Sequence, residues 1–391
     1  MVALGTTSNH AKPAAARRIR GFGQSTPYSL GVEEEFQILD PATMELAPAV
    51  DQILEGISDA DKLQVKHELM QSVVETCTQV CEGVSQAVED LARVRALVIQ
   101  RADDLGLAIA SAGTTPISLW EAQKVTDKPR YRDLVARLQW VARRELIFGM
   151  HVHVGVDSAD KCMYVYNAIR PELPLLLALS ANSPFWQNAT TGLQSSRIKV
   201  FDAFPRSGMP AHFANGWDDY ESLLSRGATS GLIPDHTYVW WDVRPHPDFG
   251  TIEIRICDAQ TRLRDTAGLT ALIQAMVAYH GERFDRGVQL EAEVPQLLIE
   301  ENRWSAARYG LDGEMIDFAT DELASTRHLV AKLLDRTEPV AKRLGSNGWF
   351  DLLGGMLEQT GATRQMNAWL EGGKSAKAVG AQLVRDTGVE A

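Results

Sequence analysis

Apolar and ionisable side chains alternate with a period of two in three short stretches, the pattern of strands that bury one face and present the other. In Leu30-Gly31-Val32-Glu33-Glu34-Glu35-Phe36-Gln37-Ile38, Leu30, Val32, Phe36 and Ile38 share one face, and Glu33 and Glu35 share the other. Glu34 interrupts the apolar side. Between Phe148 and Val156 the apolar face is Phe148, Met150, Val152, Val154 and Val156, with His151 and His153 opposite and Gly149 and Gly155 alongside. Between Thr251 and Cys257 the isoleucines Ile252, Ile254 and Ile256 face one way, and Glu253 and Arg255 the other.

A fourth stretch, Val65 to Thr78, carries Glu68 and Glu75 at an odd separation, so an unbroken strand points them to opposite faces unless a bulge intervenes. Glu75, with β-branched neighbours, is placed on the polar face, and Glu68 is kept as a second candidate. The strands predicted are Tyr28 to Leu39, Val65 to Thr78, Leu146 to Val156 and Thr251 to Asp258. Apolar residues recur at helical spacing over Val84 to Leu105, Met163 to Leu179, Leu269 to Tyr279 and Leu323 to Leu344, with a shorter amphipathic cover after Gly361. An α+β protein follows, its sheet backed by helices and its free face a charged cavity. No repeat or linker divides the chain, so residues 25–391 are expected to form a single domain behind a flexible extension at residues 1–24.

Composition narrows the chemistry. The 391 residues are 45% hydrophobic, enough for a large buried core. A formal net charge of -12, from 51 acidic and 39 basic residues, argues against a nucleic-acid partner. Four cysteines match no zinc or disulfide framework, which suits a reducing compartment. No apolar run has the length of a signal peptide core or a membrane span, so a cytoplasmic protein is expected, with no membrane partner.

Two carboxylates placed two residues apart on one strand face repel each other unless cations bridge them. Glutamate oxygens with limited imidazole ligation suit Mg²⁺ or Mn²⁺, and Mg²⁺ keeps waters and takes phosphate oxygens. Nucleotide chemistry is the economical reading. The plain alternatives are an exposed acidic edge for Glu33 and Glu35, a hydrogen-bonded pair for His151 and His153, and an internal ion pair for Glu253 and Arg255. Strand parity puts Arg255 beside Glu253, where a guanidinium can hold phosphate or carboxylate through two hydrogen bonds.

Together these stretches, with Tyr131-Arg132-Asp133-Leu134, Ser195-Ser196-Arg197 and Trp240-Trp241-Asp242-Val243-Arg244-Pro245, resemble the glutamate–cysteine ligase type 2 family of carboxylate–amine ligases, which includes the YbdK-like proteins. The resemblance runs in order from about Tyr28 to Leu272. It implies a glutamine-synthetase-like fold, in which an antiparallel sheet forms a funnel holding divalent metals between ATP and an acid substrate. By position it implies Glu33, Glu35, Glu75, His151 and Glu253 as metal-site residues, with Glu68 as a further one, and leaves His153 to orient substrate. Glu253 and Arg255 are the expected catalytic pair, Arg197 joins Arg255 at the nucleotide, and Arg132 and Arg244 hold substrate. Trp240, Trp241 and Tyr238 are candidates for the cavity wall. The chain departs from the family pattern at Gly113-Thr114-Thr115-Pro116, where His is expected in place of Thr115.

The activity implied is ATP-dependent joining of an amino-acid carboxylate to an amine through an acyl phosphate, with glutamate and cysteine as the leading substrates and a homodimer as the assembly. Two other readings compete. A His-x-His strand also suits a zinc hydrolase, and the cavity could bind nucleotide or amino acid without turnover.

Overall fold

The computed structural model describes residues 21–390. Seven strands form one antiparallel sheet: β1 (Leu30–Leu39), β2 (Val65–His67), β3 (Val73–Cys77), β4 (Ala108–Ala110), β5 (Met150–Gly155), β6 (Val243–His246) and β7 (Thr251–Ile254). Their order is β6-β7-β5-β1-β3-β2, with β4 also paired to β1. Register sets Glu33 opposite His151, Glu35 opposite Glu75, Glu253 opposite His153 and Arg244 opposite Glu253. Residues far apart in sequence therefore meet on one face.

The other face is buried under helices. Val32, Phe36, Met150, Val152, Val154, Ile252 and Ile254 are each at most 1% exposed; every such side chain stabilises the fold by about 1.5 to 3 kcal/mol. The cover consists of α1 (Val84–Asp104), α3 (Ala159–Ile169) and α4 (Leu263–Asp285), and α2 (Pro129–Leu138) lies between α1 and α3 in the chain. Helix α4 is apolar on nearly all sides because α1, α3 and α5 (Thr326–Arg343) enclose it.

Glu34 points into this apolar layer, as its parity requires. Its carboxylate is 1% exposed and accepts from Arg95 Nε of α1 at 2.8 Å and from Thr266 Oγ1 of α4 at 2.8 Å. The break in the apolar pattern is a buried ion pair that ties sheet to helices.

Three expected elements are divided. The stretch Val65 to Thr78 is a hairpin, β2 and β3, in which Lys66 sits opposite Glu75. The stretch Met163 to Leu179 is two helices, α3 and Leu173–Ser180, because Pro171 and Pro174 lack the N–H that a continuous helix requires. The stretch Leu323 to Leu344 begins as a strand, Glu322–Ser325, before Ser325 caps α5 by accepting from the His328 N–H. The expected extension also ends earlier than residue 24. Residues 1–20 lie outside the described residues, but Phe22 is 2% exposed, with its ring edge-on to Trp217, and Gly21 N–H donates to Pro247 O. No described helix is long and apolar enough to cross a membrane.

Candidate active site

The polar face of the sheet gathers two groups of potential metal ligands. Glu33, His151 and Glu253 bring ligand atoms within 4.8 Å of one another, and so do Glu35, Glu68 and Glu75. Glu33 and Glu35 are two residues apart on β1, so the groups are neighbours about 7 Å apart along the strand. His151 Nδ1 lies 3.1 Å from Glu33 Oε2. His153 Nε2 lies 3.7 Å from Glu33 and 3.8 Å from Glu253, with its Nδ1 3.0 Å from Thr251 Oγ1.

The hairpin resolves the parity of Glu68 and Glu75. Antiparallel pairing puts Lys66 opposite Glu75 on the polar face, and Glu68, two residues beyond Lys66, follows the same face. No bulge is needed. Glu68 Oε2 accepts from Leu69 N–H at 2.5 Å, which fixes the carboxylate just past the end of β2.

The two groups differ in charge balance. Burial would raise the Glu33 carboxyl, but hydrogen bonds from His151 and His153 hold it well below the usual range. Burial would likewise raise Glu253, yet the Arg244 and Arg255 charges hold it well below that range. In the second group the opposing contacts, from Arg197 and the Gly149 N–H at Glu35, the Leu69 N–H and Arg130 at Glu68, and Lys66 at Glu75, do not overcome burial. It pushes Glu35 up to about 7, with the Glu68 charge adding to it. Burial, then the charges of Glu33 and Glu68, drives Glu75 well above the usual range, and burial raises Glu68 as well. Burial, then the Arg255 charge, lowers His151 to about 4, so a neutral imidazole with a free lone pair faces the site.

Arg244 Nε donates to Glu253 Oε2 at 2.7 Å and Nη1 to Val239 O at 2.9 Å. Arg255 Nη1 pairs with Glu253 Oε1 and lines the cavity. Arg197 donates to the carbonyls of Ile256 and Arg255, both at 3.2 Å, and also reaches the cavity. Arg132 does not. It is exposed on the outer side of α2, paired with Asp127. Two residues of helix turn the chain through about 200°, so Arg130, not Arg132, faces inward.

Gly149 N–H donates to Glu35 Oε2 at 2.5 Å, and a Cβ there would lie 2.4 Å from Arg197 Nη2 and 3.0 Å from His151 Nε2. Gly149→Ala is therefore expected to lower kcat/KM about tenfold, since an ångström-scale displacement of positioned groups has at least that cost. Steady-state kinetics check this, and an unchanged rate would show that the displaced groups play no part.

The cavity beside the second group has a volume of about 350 Å³. Its lining includes the Glu35, Glu68 and Glu75 group and an aromatic cluster of Phe201, Phe204, Tyr238 and Trp240. Trp241 packs instead against Phe213 in the core. Glu145, absent from the sequence-based set, lines the cavity too; burial pushes it up to about 8, and its Oε1 has no hydrogen-bond partner among the described residues. It follows a short helix in an irregular segment, where no periodicity marks it. Thr115 is fully buried, its hydroxyl without a partner among the described residues.

A divalent cation fits this donor set. Three carboxylates crowded at the second group raise one another's proton affinity, and the first adds two carboxylates with an imidazole, all hard or borderline ligands. The profile of glutamate–cysteine ligase family 2 matches residues 29–376. A protein of Gloeobacter violaceus provisionally named glutamate–cysteine ligase 2 is 40% identical over 93% of this chain and 97% of its own. One of Sorangium cellulosum with the same provisional name is 44% identical over 87% and 91%. Among solved structures, the glutamate–cysteine ligase of Francisella tularensis in complex with AMP superposes with a TM-score of 0.70 at 12% identity, covering 93% of this chain and 88% of that one. A bifunctional glutathione synthetase of Pasteurella multocida gives 0.65 at 15% identity over 92% of this chain and 52% of that one. The fold is thus the glutamine-synthetase-like α+β fold that the sequence resemblance implied. With the profile and both relatives covering most of its length, the chain belongs to glutamate–cysteine ligase family 2.

Proposed function

We propose that this protein is an ATP-dependent carboxylate–amine ligase that joins glutamate to cysteine, using Mg²⁺ or Mn²⁺ held by the two acidic groups. The observation that carries this reading is the pairing of a carboxylate triad, Glu35, Glu68 and Glu75, with inward-facing arginines around one cavity. Membership of a family whose relatives are named glutamate–cysteine ligases supports the substrates. The homodimer implied by the resemblance is part of the proposal, and sedimentation velocity checks it. So is a cytoplasmic setting, where the four free cysteines stay reduced.

A carboxylate is a poor electrophile and must be activated. Its oxygen attacks the γ-phosphorus of ATP, forming an O–P bond as the bond to the β-γ bridging oxygen breaks, and ADP leaves. The amine nitrogen then attacks the acyl carbon, phosphate leaves, and the nitrogen loses a proton. Glu35, Glu68 and Glu75, and likewise Glu33, His151 and Glu253, would hold Mg²⁺, which when bound would screen the phosphate charge. Arg255 and Arg197 contribute fixed positive charge where acid and phosphate meet, before reaction rather than in response to it. Glu253 fixes Arg255, and Arg244 fixes Glu253, so the guanidinium is already oriented. His153 stands beside both carboxylates of the first group and is assigned to substrate orientation.

The test is release of ADP by purified protein supplied with ATP, Mg²⁺, glutamate and cysteine, with the product identified by mass. ADP formed only when both amino acids are present supports ligation, and ATP-independent hydrolysis with bound zinc would replace this reading with a hydrolase.

Proton linkage gives a second test. Folded-state values of Glu35 and Glu75 lie above the ordinary carboxylate range, so their protonation favours folding at low pH; the Glu35 contribution is lost as pH rises through about 7, and that of Glu75 as pH rises through its own raised value. Mg²⁺ needs the deprotonated form. Its binding is therefore expected to be about tenfold weaker at pH 6 than at pH 8, and the Mg²⁺-induced rise in Tm correspondingly smaller. A thermal shift independent of pH would contradict binding at these carboxylates.

A further inference from the structure

The cavity is lined by three guanidiniums, and two of them are already engaged. Arg255 is paired with Glu253, while Arg197 donates to two carbonyls and lies 4.0 Å from Asp258. Arg130 has no carboxylate within ion-pair distance among the described residues. Its polar contact is a long one, Nη2 to Thr237 Oγ1 at 3.4 Å, and its guanidinium lies 5.5 Å from the Tyr238 ring. Its charge reaches the Asp235 and Glu68 carboxylates without an ion pair to either, which leaves the guanidinium available to a bound anion.

Position decides which anion. Arg130 adjoins both parts of the lining: its guanidinium lies over Tyr238 of the aromatic cluster, and its charge reaches the Glu68 carboxylate of the acidic group. A nucleotide with its base against the aromatic rings and its terminal phosphates at the acidic group would pass its phosphate chain beneath Arg130. The helix that carries Arg130 is also lightly held. Among the described helices of ten residues or more, α2 alone has no buried side chain, and Tyr131 OH to His67 O at 3.0 Å is its main hydrogen bond to the sheet. The guanidinium can move toward a ligand without disrupting a core.

We propose that Arg130 is a phosphate-binding residue, one that takes the polyphosphate chain of the nucleotide rather than the carboxylate of the acid. The assignment rests on the ligase reading and adds to it a residue two positions from Arg132, which the resemblance implies as a substrate-holding group. Both side chains are exposed enough that substitution leaves the fold intact, which circular dichroism verifies.

Isothermal titration of wild type, Arg130→Ala, Arg130→Lys and Arg132→Ala with ATP in the presence of Mg²⁺, with adenosine, and with glutamate tests the assignment. Loss of a charge-assisted contact is expected to weaken ATP binding roughly 10- to 100-fold in Arg130→Ala. Arg130→Lys should recover part of that loss, adenosine and glutamate binding should change less than about threefold, and Arg132→Ala should match wild type. Unaltered ATP affinity in Arg130→Ala, or a loss confined to glutamate, overturns the assignment while leaving the ligase reading in place. Wild-type protein that binds no ATP overturns both.

Discussion

Glu75→Gln is expected to lower kcat/KM for ligation by on the order of 10²- to 10³-fold while Tm stays level or rises. The rate falls because the substitution removes one of three carboxylates proposed to hold the cation, and the loss of one preorganised electrostatic contact at a transition state has about this cost. Stability moves the other way because Glu35, Glu68 and Glu75 repel one another in the absence of a cation. Glutamine keeps the shape and removes a charge from that crowd. Activity and stability are in opposition here, as they are where a site is built for function against local comfort. Kinetics and a thermal melt in metal-free buffer measure the two arms, and a destabilised Glu75→Gln with normal turnover would reverse the assignment.

Glu253→Gln, on the same face of the same sheet, is expected to lose both. Its carboxylate is fully buried and accepts from Arg244 at 2.7 Å while pairing with Arg255 on its other oxygen. Removing its charge takes from the buried Arg244 and the half-buried Arg255 the carboxylate that pairs them, and breaking a buried ion pair costs about 3 kcal/mol or more. For a chain of this size that corresponds to a fall in Tm of roughly 4 °C or more. The rate should also fall at least 10²-fold, because Arg255 loses the partner that orients it and the first group loses a ligand. Read from the sequence, Glu253 is either a metal and catalytic carboxylate, as the resemblance implies, or half of an internal ion pair with Arg255. The structure shows the ion pair, and the proposed mechanism adds a role in the reaction, so a Glu253→Gln protein that melts like wild type would contradict the ion-pair geometry.

Much of this site is legible in the alternation of residues. Glu33, Glu35, His151, His153 and Glu253 lie on the face their parity assigns, and Arg255, just past β7, follows it, since the apolar side of their strands is broken at Glu34 alone. Parity fails where the backbone changes direction or type. Glu68 and Glu75 straddle a turn that apolar Leu69 and Met70 disguise as continuous strand, and pairing across the hairpin restores them to one face. Arg132, taken from the resemblance, points away from the cavity and Arg130 lines it, because their segment is a helix, where residues two apart point nearly opposite ways. Glu145 carries no periodic signal at all, and the partner of Glu34 is Arg95, 61 residues away, which only tertiary packing reveals.

The central claim is that the acid is activated as an acyl phosphate at the acidic cavity, and isotope transfer tests it most directly. Glutamate labelled with ¹⁸O in its carboxylates is incubated with the protein, ATP, Mg²⁺ and cysteine, and the inorganic phosphate is analysed by mass. Attack of a carboxylate oxygen on the γ-phosphorus predicts one ¹⁸O in each phosphate released, in step with product formed. Phosphate whose added oxygen comes only from water would contradict the account, because ATP would then be hydrolysed without ever bonding to the acid.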